Sequence, residues 1–270
     1  MIALERLEAG QILSQDEVFQ LFSRVIQGLC DEQSILRLLL AFNKRPPQPQ
    51  ELAGAARALR EAALPVPIST GQVADNCGTG GDGSHSLNIS TAAAFIAAAA
   101  GVPMAKHGNR SVSSRSGSAD VLEQLGIPLH LEPQRAASCL DQAGICFLFA
   151  PQYHSGIRHV MPARKALGVR TIFNILGPLV NPTCPNIQLM GVFDPSLIAL
   201  IAGTLKELGC QRALVVHGGG LDELAVHGPS HAVLLKDGDL QEMEIQPESV
   251  GLDLFAKEEL AGGTPKHNTE

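Results

Sequence analysis

Apolar positions recur at helical spacing through residues 1–66 and break into short strand-like runs after that. Ser14-Gln-Asp-Glu17 is a capping-box pattern ahead of Val18, Phe19, Leu21, Phe22 and Val25. Asp31 is placed to cap a second helix through Ile35, Leu36, Leu38, Leu39 and Leu40. Lys44-Arg-Pro-Pro-Gln-Pro interrupts the pattern, and helical composition resumes from Glu51 to end near Leu64-Pro-Val-Pro.

From residue 67 onward strands and helices alternate. Val73-Ala-Asp-Asn is a short strand candidate, followed by the turn Gly78-Thr-Gly-Gly-Asp-Gly83 and an alanine-rich helix from Ser90 that Gly101 stops. Further strands are expected at residues 102–106, 145–149, 188–193 and 212–217, with helices at 119–125, 133–143 and 196–208. Asp237-Gly238 between two β-rich runs predicts a hairpin. The fold class is therefore α/β: a small N-terminal helical domain (1–66) and a larger α/β domain (67–270) around a mostly parallel central sheet. A segment near residues 158–180 is expected to pack with the helical domain.

Composition narrows the function. The chain has 270 residues, 45% of them hydrophobic, and 20 Lys+Arg against 27 Asp+Glu leave a net charge of −7. With no Trp, one Tyr and an acidic balance, a nucleic-acid partner is not expected. The longest apolar run, residues 92–100, is far short of the roughly 18 needed for a membrane span. The N-terminus lacks a basic segment followed by an apolar one, and the six cysteines are dispersed without a C-x-x-C pair. These features point to a cytoplasmic protein with reduced thiols. One segment stands apart: residues 83–119 hold no Asp or Glu but contain Lys106, Arg110 and Arg115, as suits a focused anion site.

Four groups of residues could carry chemistry. Glycines 78–83 with Asn88-Ile-Ser-Thr91 at a helix start offer backbone N–H groups, hydroxyls and a dipole to a phosphate. A plain tight turn with Ser90 as N-cap would look the same. Lys106-His-Gly-Asn-Arg-Ser-Val-Ser-Ser114 follows a strand, where α/β sheets bind ligands, although it also reads as a solvated loop. Asp222-Glu223 after Gly218-Gly-Gly220 could hold Mg²⁺, or begin a helix. Arg164, soon after Pro162, could fork onto a carboxylate or lie on a solvated helix face. His154 and His159 lack a third ligand at metal spacing and read as structural.

These groups, in this order, closely resemble the anthranilate phosphoribosyltransferase family, as do Asn174-Ile-Leu-Gly-Pro-Leu-Val-Asn-Pro182 and Leu260-Ala-Gly-Gly-Thr-Pro265. The resemblance runs from the N-terminal helices to nearly the last residue. It implies a nucleoside-phosphorylase-like fold, a homodimer, and phosphoribosyl transfer from phosphoribosyl pyrophosphate to anthranilate in tryptophan biosynthesis. It also implies that Gly78, Gly81, Asp82, Ser86, Asn88, Ile89, Ser90, Thr91, Lys106 and Ser118 contact phosphoribosyl pyrophosphate. The stretch His107, Gly108, Asn109, Arg110, Ser111, Val112, Ser113 and Ser114 would lie over it. Gly78, Asn109 and Arg164 would hold anthranilate, and Ser90, Asp222 and Glu223 would serve Mg²⁺.

No general base is assigned, because an aniline-type amine is a neutral nucleophile at pH 7. His107 is a candidate for proton handling or for shaping the loop. Two departures stand out. Asn76-Cys77 precede the glycine turn where the family often has an apolar residue, a change expected to bear on packing and not on ligand groups. The family also continues beyond Pro265 through further helices, so a chain ending at Glu270 is expected to leave apolar surface uncovered. The alternatives are a nucleoside-phosphorylase-like enzyme on another base and a non-catalytic ligand-binding or partner protein.

Overall fold

The computed structural model describes residues 2–111 and 115–270. Four helices open the chain: α1 (Ile2–Glu8), α2 (Gln15–Ile26), α3 (Glu32–Lys44) and α4 (Pro49–Glu61). Their starts follow local chemistry. Ser14 and Glu17 close a reciprocal capping box on α2, and the Asp31 carboxylate accepts the Ser34 N–H on α3. Glu51, fully buried in α4, accepts the Leu13 and Gln48 N–H groups and pairs with Arg45.

The rest of the chain alternates. In order it forms β1 (Ala74–Asp75), α5 (Ile89–Ala99), β2 (Met104–Gly108), α6 (Ser118–Gln124), α7 (Pro133–Ala143), β3 (Ile145–Phe149) and α8 (Ala150–Tyr153). There follow α9 (Met161–Leu167), α10 (Phe173–Leu176), β4 (Ile187–Gly191), α11 (Ile198–Glu207), β5 (Arg212–Gly218), β6 (Ser230–Lys236), β7 (Asp239–Ile245) and α12 (Pro265–Thr269). Strand β2 begins two residues later than the sequence pattern implied. Val102 still donates its N–H to Ala97 at the end of α5, and Pro103 has no N–H to give a ladder. The helix expected from Ser196 starts as a 3-10 turn over Pro195–Leu197, which the Asp194 carboxylate caps.

All seven strands form one sheet in the order β3-β2-β1-β4-β5-β6-β7. Pairs from β3 to β5 are parallel, and β6 and β7 join antiparallel. The β6–β7 turn has Asp237 and Gly238 both at positive φ, 53° and 84°, as a two-residue hairpin requires. The chain winds outward from β1 through β2 to β3, then returns to the other side of β1 with β4. Strand order reverses between β1 and β4, and such reversals open a crevice beyond the strands' C-terminal ends.

One apolar cluster joins the N-terminal helices to the sheet. It contains Phe22, Leu39 and Leu52, the 158–180 residues Val160, Ala163, Phe173 and Leu176, and Met190, Ile201 and Val215 from β4, α11 and β5. Helix α5 is apolar nearly all round, yet Ile96 stays 71% exposed. No helix among the described residues is long and apolar enough to cross a membrane.

Candidate active site at the strand-order reversal

The glycine turn lies directly beyond β1, in the crevice between β1 and β4. Two bonds fasten it to the end of β4: Thr79 donates its N–H to the Gly191 carbonyl at 2.9 Å, and Phe193 donates to the Thr79 hydroxyl at 3.0 Å. Gly80 and Gly81 adopt φ of 62° and 78°, a region that side chains disfavour. Glycine takes this conformation without strain, and the two bonds to β4 hold the turn at a fixed place.

Asp222 arrives from beyond β5. Its carboxylate accepts the Gly80 N–H at 2.6 Å, and its own N–H reaches Asp82 at 3.3 Å. Glycine at Gly191 permits this approach, because a Cβ there would overlap the Asp222 carbonyl. Gly78 is confined less severely, with the Asp222 carboxylate 2.9 Å from where a Cβ would stand. The segment after β5 is irregular, so Asp222-Glu223 does not begin a helix.

Asp82, Asp222 and Glu223 thus share one small region. Burial pushes Asp222 up to about 6, and the neighbouring Asp82 charge adds to the shift. Burial, then Asp222, pushes Glu223 up to about 8, against the opposing pull of Lys106. Carboxylates crowded this way favour an added cation. Their hard oxygens, with the Ser90 hydroxyl, suit Mg²⁺. Among the described residues no set of three or more His, Cys, Asp or Glu groups could hold a metal alone. The set fits an ion that takes its remaining ligands from substrate oxygens and water.

The cationic side is built on β2. Lys106 is 3% exposed, and its ammonium donates to the Asn76 amide oxygen at 3.1 Å and the Ser90 hydroxyl at 3.3 Å. Asn76 in turn donates to the Ser90 carbonyl at 2.7 Å. The residue expected to affect only packing therefore holds both the Lys106 ammonium and the Ser90 backbone, two candidate ligand positions, which corrects that expectation. A buried polar side chain at this position is explained by the ammonium beside it.

Helix α5 opens at Asn88 with no side-chain cap and no acid in its own first turn; the Glu223 carboxylate, arriving from beyond β5, accepts the Ser90 N–H there. Asn88, not Ser90, is the N-cap. The Thr91 hydroxyl is buried with no hydrogen-bond partner among the described residues, as fits a group that would bond a ligand oxygen. Ser86 lies in an antiparallel bridge with Ala261, and the Leu87 N–H reaches the Leu260 carbonyl. The Asn268 amide also reaches Asn88, so the segment from Leu260 to Asn268 straps residues 86–88 in place. Gly262 needs its missing side chain, because a Cβ would overlap the Ser86 carbonyl.

Other expected site residues are placed differently. Arg110 is turned to α6, where it pairs with Asp120 and Glu123 at 2.9 and 2.8 Å. Those acids lie outside the acid-free segment, so its positive charge is partly neutralised from the next helix. Ser118 begins α6, and the Asn109 carbonyl accepts the Ala119 N–H. Val112, Ser113 and Ser114 lie outside the described residues. His107 is 2% exposed, edge-on to His154 at 5.3 Å, and burial pushes it down to about 3. So weak a base has no use in proton handling near neutral pH. His154 is pushed down to about 4 by burial, in keeping with a structural role.

Arg164 sits in the last turn of α9, half-buried, with no carboxylate paired to it among the described residues. Desolvation lowers its pKa, so an incoming carboxylate would find a guanidinium without a counter-charge.

Three further residues brace this region, and the sequence pattern singled out none of them by itself. Asp75 is 1% exposed and pushed up to about 6 by burial, opposed mainly by Lys106. It accepts the His107 and Cys77 N–H groups and the Asn181 amide, bracing the floor of the site. Asn181 also donates to the Ala105 carbonyl. Arg170 donates to the Gly81 carbonyl at 2.6 Å. Asn181 belongs to a motif already visible in the chain; Asp75 and Arg170 carry no local signal.

Comparison with known proteins is consistent with this geometry. Residues 2–63 match the glycosyl transferase family helical bundle domain, and residues 70–270 match the glycosyl transferase family a/b domain. The chain is 49% identical over 267 residues to an anthranilate phosphoribosyltransferase of Serratia proteamaculans, covering 99% of this chain and 80% of the relative. It is 51% identical over 267 residues to that of Erwinia tasmaniensis, with the same coverage. The solved anthranilate phosphoribosyltransferase of Thermus thermophilus superposes with a TM-score of 0.94 at 43% identity, covering 100% of this chain and 80% of that one. The Saccharomyces cerevisiae enzyme in complex with PRPP and Mg gives a TM-score of 0.85 at 27% identity, covering 95% of this chain and 75% of that one.

Proposed function

The chain belongs to the anthranilate phosphoribosyltransferases of the glycosyl transferase family, and from that premise we propose how its own residues carry the reaction. The enzyme transfers the phosphoribosyl group of phosphoribosyl pyrophosphate to the amine of anthranilate, a step of tryptophan biosynthesis. The amine nitrogen bonds to the anomeric carbon, the bond from that carbon to pyrophosphate breaks, and the nitrogen releases its proton.

The phosphoribosyl substrate lies along Gly78, Gly81, Asp82, Ser86, Asn88, Ile89, Ser90, Thr91, Lys106 and Ser118. Backbone N–H groups of the turn and of α5 take its phosphate oxygens, and Lys106 faces the charge that leaves with pyrophosphate. Arg164 forks onto the anthranilate carboxylate, with Asn109 and Gly78 beside the ring. Holding amine and anomeric carbon in line supplies much of the rate, because the amine is already neutral and nucleophilic. Ser90, Asp222 and Glu223 would hold Mg²⁺, which supplies positive charge to the departing pyrophosphate oxygens. The reading includes a homodimer in the cytoplasm.

The observation that carries this proposal is the seat of Asp222 on the Gly80 N–H. It brings the acidic pair onto the phosphate turn across 142 residues of chain. The test is pyrophosphate formation from phosphoribosyl pyrophosphate and Mg²⁺. Release that requires anthranilate, mole for mole, supports the proposal. Release at the same rate without anthranilate overturns it.

A further inference from the structure

Arg170 lies six residues past Arg164, outside every motif described above. Its guanidinium donates to the Gly81 carbonyl at 2.6 Å and stacks 4.0 Å over the Phe193 ring. Its own carbonyl accepts the amide of Asn43, at the end of α3, at 2.9 Å. One residue therefore ties the glycine turn to the end of β4 and to the helical domain.

The turn needs such a tie. Gly80 and Gly81 reach positive φ because they lack side chains, and the same freedom lets the peptide between Gly81 and Asp82 flip. In a trans peptide the carbonyl and the N–H point in opposite directions. Fixing the Gly81 carbonyl toward Arg170 therefore fixes the Asp82 N–H away from it, where no acceptor takes it among the described residues. A flipped peptide would exchange that donor for a carbonyl oxygen, which repels an anion. The Phe193 ring fixes the plane of the guanidinium, which a flexible ammonium would not match.

We propose that Arg170 is a positioning residue for the phosphoribosyl substrate: it locks the Gly81–Asp82 peptide in its anion-binding orientation and links that lock to the helical domain. The inference rests on the proposed use of the glycine turn for phosphoribosyl pyrophosphate.

The test uses the full chain with Arg170→Gln, Arg170→Lys and Phe193→Leu. Binding of phosphoribosyl pyrophosphate with Mg²⁺ is measured by calorimetry, and KM for each substrate by steady-state assay. Arg170→Gln is expected to weaken that substrate's Kd and KM by about tenfold, leaving KM for anthranilate and Tm near wild type. Arg170→Lys should recover less than half of the loss, and Phe193→Leu should show the same split in milder form. Three results overturn the inference: an unchanged Kd in Arg170→Gln, equal loss of both substrates, or full rescue by lysine, which would mark direct charge contact. Wild-type protein that binds phosphoribosyl pyrophosphate but transfers nothing would instead overturn the proposed function, and the calorimetric arm would still decide the role of Arg170.

Discussion

The Lys106 ammonium donates to the Asn76 amide oxygen at 3.1 Å, and that one bond links β2 to the residue just beyond β1. The same amide holds the Ser90 carbonyl, so Asn76 sets both the cation and the start of α5. Asn76→Val keeps the volume roughly constant but leaves a buried ammonium short of an acceptor. Such a loss costs about 1–3 kcal/mol. The expected outcome is a lower melting temperature and a raised KM for phosphoribosyl pyrophosphate, with KM for anthranilate nearly unchanged. Equal KM values in variant and wild type would show that Asn76 only fills space.

Gly191 gives a sharper geometric case. A methyl group there overlaps the Asp222 carbonyl, so Gly191→Ala must push Asp222 off the glycine turn. A misplacement near 1 Å costs about a hundredfold in rate. The variant is expected to fold, shown by its circular dichroism, and to need more Mg²⁺ for half-maximal activity. An unaltered Mg²⁺ requirement would separate Asp222 from the metal.

Arg164 concerns the other substrate. Arg164→Ala removes a charge-assisted contact worth about 1.5–3 kcal/mol, roughly ten- to a hundredfold in affinity. Steady-state kinetics should place that loss in KM for anthranilate and leave phosphoribosyl pyrophosphate almost untouched. Loss shared equally by the two substrates contradicts the assignment.

The buried histidines predict an acid sensitivity. His107 and His154 are pushed down to about 3 and about 4, below the ordinary 6.5. In that window the unfolded chain binds more protons than the folded one. Their contribution is fully present above pH 6.5 and is lost as pH falls toward 4 and then 3. At pH 5 each histidine costs about 2 kcal/mol of stability. Urea unfolding of His154→Gln at pH 7 and pH 5 should show a smaller difference between the two than wild type. An identical pH dependence would remove His154 from the account.

Much of the fold could be read from local signals because those signals act locally. The capping box at Ser14, the Asp31 cap, the Gly101 stop and the Asp237-Gly238 turn each need only a few neighbouring residues. The glycine turn, Lys106 and the acidic pair were visible for the same reason. What stayed hidden depends on distant partners. Arg170 meets Gly81 across 89 residues, and Asn181 meets Asp75 across 106. Arg110 looked free because Asp120 and Glu123 lie just past the acid-free stretch. Residue composition cannot register a charge neutralised from the next helix.

The most direct measurement is the decay of anthranilate fluorescence when phosphoribosyl pyrophosphate and Mg²⁺ are added to the full chain. The expected result is decay that stops at the equivalence point of the limiting substrate and that Asp222→Asn slows severely. Wild-type protein with a native circular dichroism spectrum that leaves the fluorescence constant would contradict the assignment of this site to phosphoribosyl transfer.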